Sequence, residues 1–439
     1  MSKTSYQLIE QSSKKSFGKK MIKWANDIWS FDRSITGEGV RKTLNYFKKI
    51  QPKLNINSAK TGELAYDWKV PKEWRVNQAY FQDKNGKKYC DFKKNNLSLV
   101  NYSSSYKGTL TLEDLKEKIH TIKHQPTAIP YITSYYKKYW GFCMSYKDLK
   151  KLKKGNYLVN IDTEHFDGVM NYGEIFIKGK SKKEIFFSTY TCHPSMANNE
   201  ISGLVISLAL SLILSSLKNL NYSYRIIFVP ETIGSIYYIS NKIKELQNNV
   251  IAGLVLSCLG DKRAYSHIKS PYGNNLSDKA LNTILGHKKN FISYSFLERG
   301  SDERQYCHPR VNLPMCGFSR SKYATYPEYH TSLDSMKLLS EKSLQDSLNV
   351  IIDFINGFEI SYKKPFNKVT CEPFLTKRDL YKHVSIKNNY YNSISDHYLD
   401  IFAYCNGEND VFDIAKILNV NVEIVIKTID FLKGYDLIS

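Results

Sequence analysis

Residues 186–203 read FFSTYTCHPSMANNEISG and run straight into LVISLALSLIL at 204–214. FFSTY has the texture of a buried strand, and the run after Gly203 that of a helix apolar on every side. Between them sit His193 and several amide and acid groups. In open α/β folds, ligands and metals lie beyond the carboxyl ends of the strands, so His193 stands where a metal ligand belongs. A histidine in a polar loop more often only hydrogen-bonds its neighbours. Here the metal reading gains weight because three later strands also end in polar groups.

From about residue 155 the chain alternates between two textures. EIFFST, YRIIFVP, AGLVLSC and NLPMCGF are continuous apolar runs of strand length, as expected for strands covered on both faces. ISGLVISLALSLILSSL, TIGSIYYISNKIKELQ and SDKALNTILGHK lie between them with helical patterns, and SEKSLQDSLNVIIDFINGF closes the series. This alternation predicts an α/β domain with a mixed sheet between helices.

Toward the N-terminus, KKMIKWANDIW and GVRKTLNYFKKI predict two helices around a turn at SITGEG. Arg33 lies just before that turn, and both a surface role and a role in a site stay open for it. Residues 56–154 change to short, aromatic-rich strands and turns and predict an inserted β-rich unit; its aromatic residues belong either to a core or to a sugar or peptide pocket. After residue 365, VFDIAKILNVNVEIVIKTIDFLKGYDLIS reads as helix, tight turn, helix and short strand, a winged-helix-like layout. The predicted organisation is therefore 1–55 with 155–362 as the α/β domain, 56–154 inserted into it, and 365–439 as the C-terminal unit.

Composition narrows the function classes. A chain of 439 residues predicts two or three domains. The first residues carry no apolar core of signal-peptide length, and the longest apolar run falls short of a membrane span and is broken by serines. A cytoplasmic protein without a membrane partner is expected. Cys90, Cys143, Cys192, Cys258, Cys307, Cys316, Cys371 and Cys405 form no C-x-x-C pair and read as reduced thiols. The formal charge of +21 invites a nucleic-acid reading, but the lysines are scattered along the chain. From Asp410 onward, Lys416, Lys427 and Lys433 face Asp410, Asp413, Glu423, Asp430 and Asp436, a net charge of −2. A recognition helix needs positive charge to meet phosphates. The winged helix is therefore expected to dock protein, either a second copy of the chain or a different partner.

Four strand ends carry polar groups: His193; Glu231 in VPETIG; Ser257 and Cys258 in VLSCLG; and the region from SDERQYCHP to PEYHTSLD, with His330. Two histidines and a glutamate there suit a zinc site that polarises a carbonyl, with the glutamate accepting a proton from the attacking water. Glu231 also suits a first-turn acid facing a helix dipole.

HPSMANNEISG, PETIG, SDERQ and PEYHTSLD, in this order, resemble the zinc-dependent aminopeptidases. The match is closer to a bacterial branch with an inserted β-rich domain and a C-terminal winged helix, linked to modified-polysaccharide biosynthesis. The resemblance covers essentially the whole chain and implies an aminopeptidase-like (phosphorylase/hydrolase-like) fold. Carried over by motif, it implies His193 as first metal ligand, Glu231 as base and His330 as last ligand. The departures are as informative. Asn199 stands where the family has a metal-bridging aspartate, Thr232 replaces the second glutamate of an adjacent pair, and Ser257 replaces a third acid. Two zinc ions carry four positive charges, which this ligand set does not offset. One zinc per chain is expected, held by His193, His330 and either Asn199 through its carbonyl or, by a small register shift, Glu200.

Arg304 is expected to meet a substrate carboxylate or phosphate, or else to pair with Asp302 or Glu303. Tyr306 and Tyr329 are candidate pocket walls. The resemblance implies an aminoacylated or acylated amino-sugar substrate in glycan biosynthesis. The functional expectation is an amide or peptide hydrolase of aminopeptidase type. Two alternatives stand beside it: a metal-poor pseudoenzyme binding a sugar or peptide, and a DNA-binding regulator acting through the winged helix.

Overall fold

The apolar runs pair into one eight-stranded sheet. The computed structural model of the protein describes residue 9, residues 17–378, residue 380 and residues 397–439. The first residues and the segment before 397 in the C-terminal unit lie outside the described residues. In chain order the principal strands are β1 (Asn55–Lys60), β2 (Glu73–Gln82), β3 (Lys88–Tyr89), β4 (Tyr106–Thr111), β5 (Asn156–Phe166), β6 (Val169–Ile177), β7 (Glu184–Tyr190), β8 (Ser223–Val229), β9 (Val250–Leu256), β10 (Tyr265–Ile268), β11 (Phe291–Tyr294) and β12 (Met315–Ser319). The main helices are α1 (Gly18–Ile28), α2 (Glu38–Ile50), α3 (Ser202–Ser215), α4 (Ile233–Asn249), α5 (Leu276–Leu285), α6 (Glu341–Ile360), α7 (Tyr398–Ala403), α8 (Val411–Leu418) and α9 (Val422–Gly434).

The large sheet has the order β1-β6-β8-β7-β9-β12-β10-β11. Its centre, β8-β7-β9-β12, is parallel; β1-β6, β6-β8 and β12-β10 are antiparallel, and the last pair, β10-β11, is parallel. Every residue of β7 and β8 is buried, which explains why their sequences are mostly apolar and do not alternate. The mixed α/β sheet between helices expected from the sequence is the one observed. A second, four-stranded sheet, β3-β2-β5-β4, forms the β-rich unit. The strands shift the expected borders of that unit: β1 belongs to the large sheet, and β5 carries the small sheet on to Phe166. The tight β5–β6 connection switches the chain from one sheet to the other, so no composition change marks the boundary.

Helix α3 and the turn before it, Ala197–Ser215, are long and apolar enough to cross a membrane, contrary to the shorter run read from the sequence. That span is 94% buried inside the protein, so it is the core helix of the α/β domain. Its N-terminus touches the strand ends directly: a Cβ on Gly203 would lie 2.6 Å from Thr189 Oγ1 and 2.7 Å from the Leu256 carbonyl oxygen. The C-terminal unit shares the same core, with Val411, Phe412, Val425 and Ile429 packed in one cluster with α6 residues such as Phe354 and Phe358. Lys279 of α5 adds bonds to Asp410 (2.6 Å) and Asp413 (2.9 Å) at the start of α8.

Because neither a strand carbonyl nor a β-branched hydroxyl can withdraw far, Gly203→Ala is expected to destabilise the fold by about 2 kcal/mol, the scale of overpacking a core. Thermal unfolding of the variant checks this. An unchanged melting temperature shows that the helix end is looser than its contacts imply.

Candidate functional site

Parallel pairing of β7 with β8 brings Tyr190 opposite Val229 and extends one step further, with Thr191 N–H donating to the Val229 carbonyl at 2.8 Å. The residues that follow, Cys192–His193 and Glu231, are therefore neighbours at the mouth of the sheet. His193 Nε2 lies 3.7 Å from Glu231 Oε2, and these two with the Cys192 thiol form one compact group of potential ligand atoms. Burial pushes the Cys192 thiol well up, and the Glu200 and Glu231 carboxylates add to that, so it stays protonated.

His193 is held by Glu200. The chain leaves the His193 loop through one wide, π-helical turn, Ala197–Ile201, where Ile201 N–H reaches back to the Met196 carbonyl at 3.1 Å. This turn aims Glu200 inward. Its Oε2 accepts from Cys192 N (2.6 Å), His193 N (2.5 Å) and His193 Nδ1 (3.0 Å). Its Oε1 accepts from Arg33 Nε at 2.6 Å. Arg33 is fully buried and also donates to the His193 carbonyl (3.0 Å) and the Ile28 carbonyl (2.7 Å). The alternative in which Glu200 binds metal is therefore corrected: both of its oxygens are engaged, and it orients His193 instead. A paired carboxylate only accepts, so Nδ1 carries a hydrogen and Nε2 is the ring nitrogen left facing Glu231.

A second clamp brings in the late histidine. Asp334 accepts from Asn198 N (2.6 Å), Asn199 N (3.0 Å) and Tyr326 Oη (3.0 Å), tying the wide turn to the PEYHTSLD loop. Burial pushes Asp334 up to about 6 against those donors. The β-rich unit fixes the same loop from the other side, with Tyr131 N–H donating to the His330 carbonyl at 2.8 Å and Ser332 N–H to the Ile129 carbonyl at 2.8 Å. The His330 and His193 rings lie 5.3 Å apart, and Tyr131 sits 5.2 Å from each. His330 Nε2 is buried without a hydrogen-bond partner. Asn199 donates from Nδ2 to Tyr190 Oη at 2.8 Å, leaving its Oδ1 buried and unpartnered.

Charge is distributed unevenly among these groups. Burial opposes a proton on His193, but the Glu200 hydrogen bond and the Glu200 and Glu231 carboxylates hold its imidazole above the ordinary value. Burial, helped by His193, pushes His330 down to about 3. Burial raises Glu231 despite the nearby His193 and Arg304. Asp302, raised first by burial and then by the Glu231 charge, reaches about 7.

Arg304 pairs with neither Asp302 nor Glu303. Its Nη2 donates to Thr232 Oγ1 at 2.7 Å, and its Nε is buried without a partner. Asp302 instead accepts from Thr232 N (2.8 Å) and Ser235 Oγ (2.9 Å), and Glu303 from Gly300 N (2.9 Å) and Tyr323 Oη (2.5 Å). Tyr306 is corrected as a pocket wall. It is fully buried, its ring edge-on to Phe186 at 5.2 Å and its hydroxyl 2.8 Å from Ser188 Oγ. Tyr329 is likewise no wall: it stacks flat on His330 at 3.9 Å and packs against Tyr326. The walls are Trp68, Tyr131, Tyr135 and Tyr136 of the β-rich unit, which with His193, Glu231, Arg304 and His330 enclose a cavity of about 660 Å³. Sequence reading saw that aromatic density but not which rings face the cleft.

His193 Nε2, His330 Nε2, Glu231 and Asn199 Oδ1 are the atoms with capacity left for a metal. Two imidazole nitrogens and one or two oxygens fit the donor set of a single Zn²⁺.

Comparison with known proteins places the chain in a family. The family model described as Domain of unknown function (DUF4910) matches residues 22–361, and one described as winged helix-turn-helix matches residues 364–439. A Clostridium acetobutylicum protein named for polysaccharide biosynthesis with an aminopeptidase-like domain is 37% identical over 405 residues, covering 91% of each chain. A crystal structure from Clostridium acetobutylicum that carries a peptidase name superposes with a TM-score of 0.89 at 34% identity, covering 99% of this chain and 98% of that one. The zinc aminopeptidase BSAP of Bacillus subtilis shares the fold at a TM-score of 0.56 and 13% identity, over 77% of this chain and 94% of its own.

Two expectations follow from the site. Arg33→Met leaves Glu200 buried without its cation, so a loss of about 3–5 kcal/mol is expected. Arg33→Met with Glu200→Gln is expected to recover part of it, and chemical denaturation of both variants decides. Equal stabilities rule out the ion pair as the reason. Separately, His330 is neutral in the fold, whereas the unfolded chain takes up its proton below about pH 6.5. Its contribution is therefore present above that pH and lost as pH falls toward 3, at on the order of 1 kcal/mol per pH unit; His193, with its raised value, acts in the opposite sense. Metal-free His330→Gln is expected to lose less stability than metal-free wild type between pH 6.5 and 5. Parallel slopes in urea titrations contradict this.

Proposed function

This chain belongs to the family described as Domain of unknown function (DUF4910), and we propose that it is a zinc-dependent amide hydrolase. Its proposed substrate is an acylated or aminoacylated amino sugar, or a small peptide-like compound, in polysaccharide or glycan biosynthesis. One observation carries the reading. His193 Nε2, the ring nitrogen left free by Glu200, lies 3.7 Å from the Glu231 carboxylate, with the unpartnered Nε2 of His330 on a ring 5.3 Å away. Electron-rich groups gathered in a buried cleft call for a cation. The polysaccharide-biosynthesis name of the Clostridium acetobutylicum relative supports the substrate class.

In this reading His193 and His330 would hold one Zn²⁺, with the unpartnered Asn199 Oδ1 a candidate third donor. Zinc, when bound, supplies the Lewis acidity that polarises the amide carbonyl. Glu231 takes a proton from the attacking water at its carboxylate and returns it to the departing nitrogen. Its raised proton affinity suits both halves, because a base works best when its pKa nears the working pH. Asp302 behind it shares the excess negative charge. Arg304, with an unused Nε–H, is placed to meet an anionic group of the substrate. The aromatic walls exclude water and cover the apolar faces of a sugar or side chain.

A second reading, a metal-poor site that binds the same ligand without cleaving it, is favoured by the missing acids at Asn199, Thr232 and Ser257. Glu231→Gln separates the two. The fold and about one zinc per chain are expected to survive, while amide hydrolysis falls about a hundredfold or more, the scale of general-base catalysis. Elemental analysis and turnover on acylated amino sugars provide the readouts. Absence of both zinc and turnover in the wild type supports the second reading, and two zinc per chain refutes the argument from missing acids.

A further inference from the structure

The β-rich unit carries a second concavity, of about 460 Å³, that meets the cleft at Tyr136. Lys72, Lys137 and Lys138 line it, together with Ser104 and Ser105. Among the described residues neither Lys137 nor Lys138 has an ion-pair partner, and Lys72 has only the largely exposed Asp167, at 3.8 Å. Three lysines thus border one hollow, and an anion bound there would offset their like charge. Two of its aromatic residues also have unusual backbones: Tyr102 and Tyr136 take φ of 71° and 62°, left-handed values that are rare for bulky side chains. Such strain persists where the surroundings enforce it, often at ligand sites. Tyr136 is 52% exposed, edge-on to Trp68 at 5.5 Å, so its ring forms a wall common to both hollows.

We infer that this hollow binds the phosphate or diphosphate of a phosphorylated sugar, whose amide-bearing part extends past Tyr136 to His193 and Glu231. The inference deepens the proposed function and rests on it for the amide end only. Lysines from two segments, Lys72 and the adjacent Lys137 and Lys138, suit a multi-oxygen, multiply charged anion. A single carboxylate is met more economically by one Arg fork, which the cleft already has in Arg304. The scattered lysine excess of the sequence thus acquires one local use.

The test uses the full chain and direct binding, so that it does not depend on turnover. Inorganic pyrophosphate is titrated calorimetrically into wild type, Lys137→Ala/Lys138→Ala, Tyr136→Ala and Glu231→Gln. Saturable binding is expected in wild type and Glu231→Gln, weakened about tenfold or more by the double lysine change and by rising salt. Tyr136→Ala is expected to spare pyrophosphate but weaken a nucleoside-diphosphate N-acetylglucosamine. Comparing that compound with a prenyl diphosphate identifies whether the phosphate comes from a nucleotide or a lipid. No saturable binding, binding indifferent to the two lysines, or displacement of pyrophosphate by far tighter single-stranded DNA each overturns the inference. Amide turnover without pyrophosphate binding removes this site and leaves the hydrolase. Pyrophosphate binding without turnover does the reverse.

Discussion

The buried pair of Arg33 and Glu200 is the interaction on which the site depends. A carboxylate taken out of water is stable only if its charge and its lone pairs are all met. Here one guanidinium, two backbone N–H groups and one imidazole N–H meet them. Each of those partners is a part of the site or its support. Arg33 ties in the first helical segment, the backbone donors fix the loop after β7, and the imidazole is His193 itself. The ring's orientation, tautomer and free nitrogen all follow from satisfying Glu200. Asp334 does the same on the other flank, where its charge is met by the backbone of the wide turn. The two carboxylates thus brace one short segment, 196–200, from opposite sides.

The remaining geometry comes from the sheet. Adjacent parallel strands end together, so the residues that follow β7 and β8 share a mouth without any further device. His330 has no such strand beneath it. Its loop is tied by Asp334 to the α/β domain and by residues 129–131 to the β-rich unit. The inserted unit is therefore part of the site's frame as well as its wall.

Much of this was legible in the sequence. Continuous apolar runs identify the central strands because strands covered on both faces have no reason to alternate, and polar residues just past those runs mark the cleft. What was not legible has physical causes. Glu200 was weighed only as a ligand because the wide turn adds a residue to the helical repeat, and no spacing rule anticipates where its carboxylate points. Tyr306 was misplaced because it follows Arg304 by two. On a helical turn residues i and i+2 face different ways, so Arg304 faces the cleft and Tyr306 the core. Arg33 looked ambiguous because its partner lies 167 residues away. The border at Phe166 was missed because β5 and β6 are joined by a tight turn and only their partners differ.

The competition between a proton and a metal for the cleft follows from the same charges. A proton on His193 Nε2 answers the Glu231 carboxylate but leaves His330 as it was, and His330 resists protonation down to about pH 3. Protonating both rings places two imidazolium ions 5.3 Å apart in a buried space with a single nearby free carboxylate. A divalent cation avoids that conflict. On the proposed function it would take both imidazole lone pairs without making either ring a cation, and its charge would offset Glu231 while Glu200 stays committed to Arg33. With Asn199, Thr232 and Ser257 in place of acids, a second divalent ion would lack the three carboxylates that the two-zinc pattern supplies at those positions. The residues that depart from the two-zinc pattern and the residues that keep it therefore favour the same occupancy, one cation between His193 and His330.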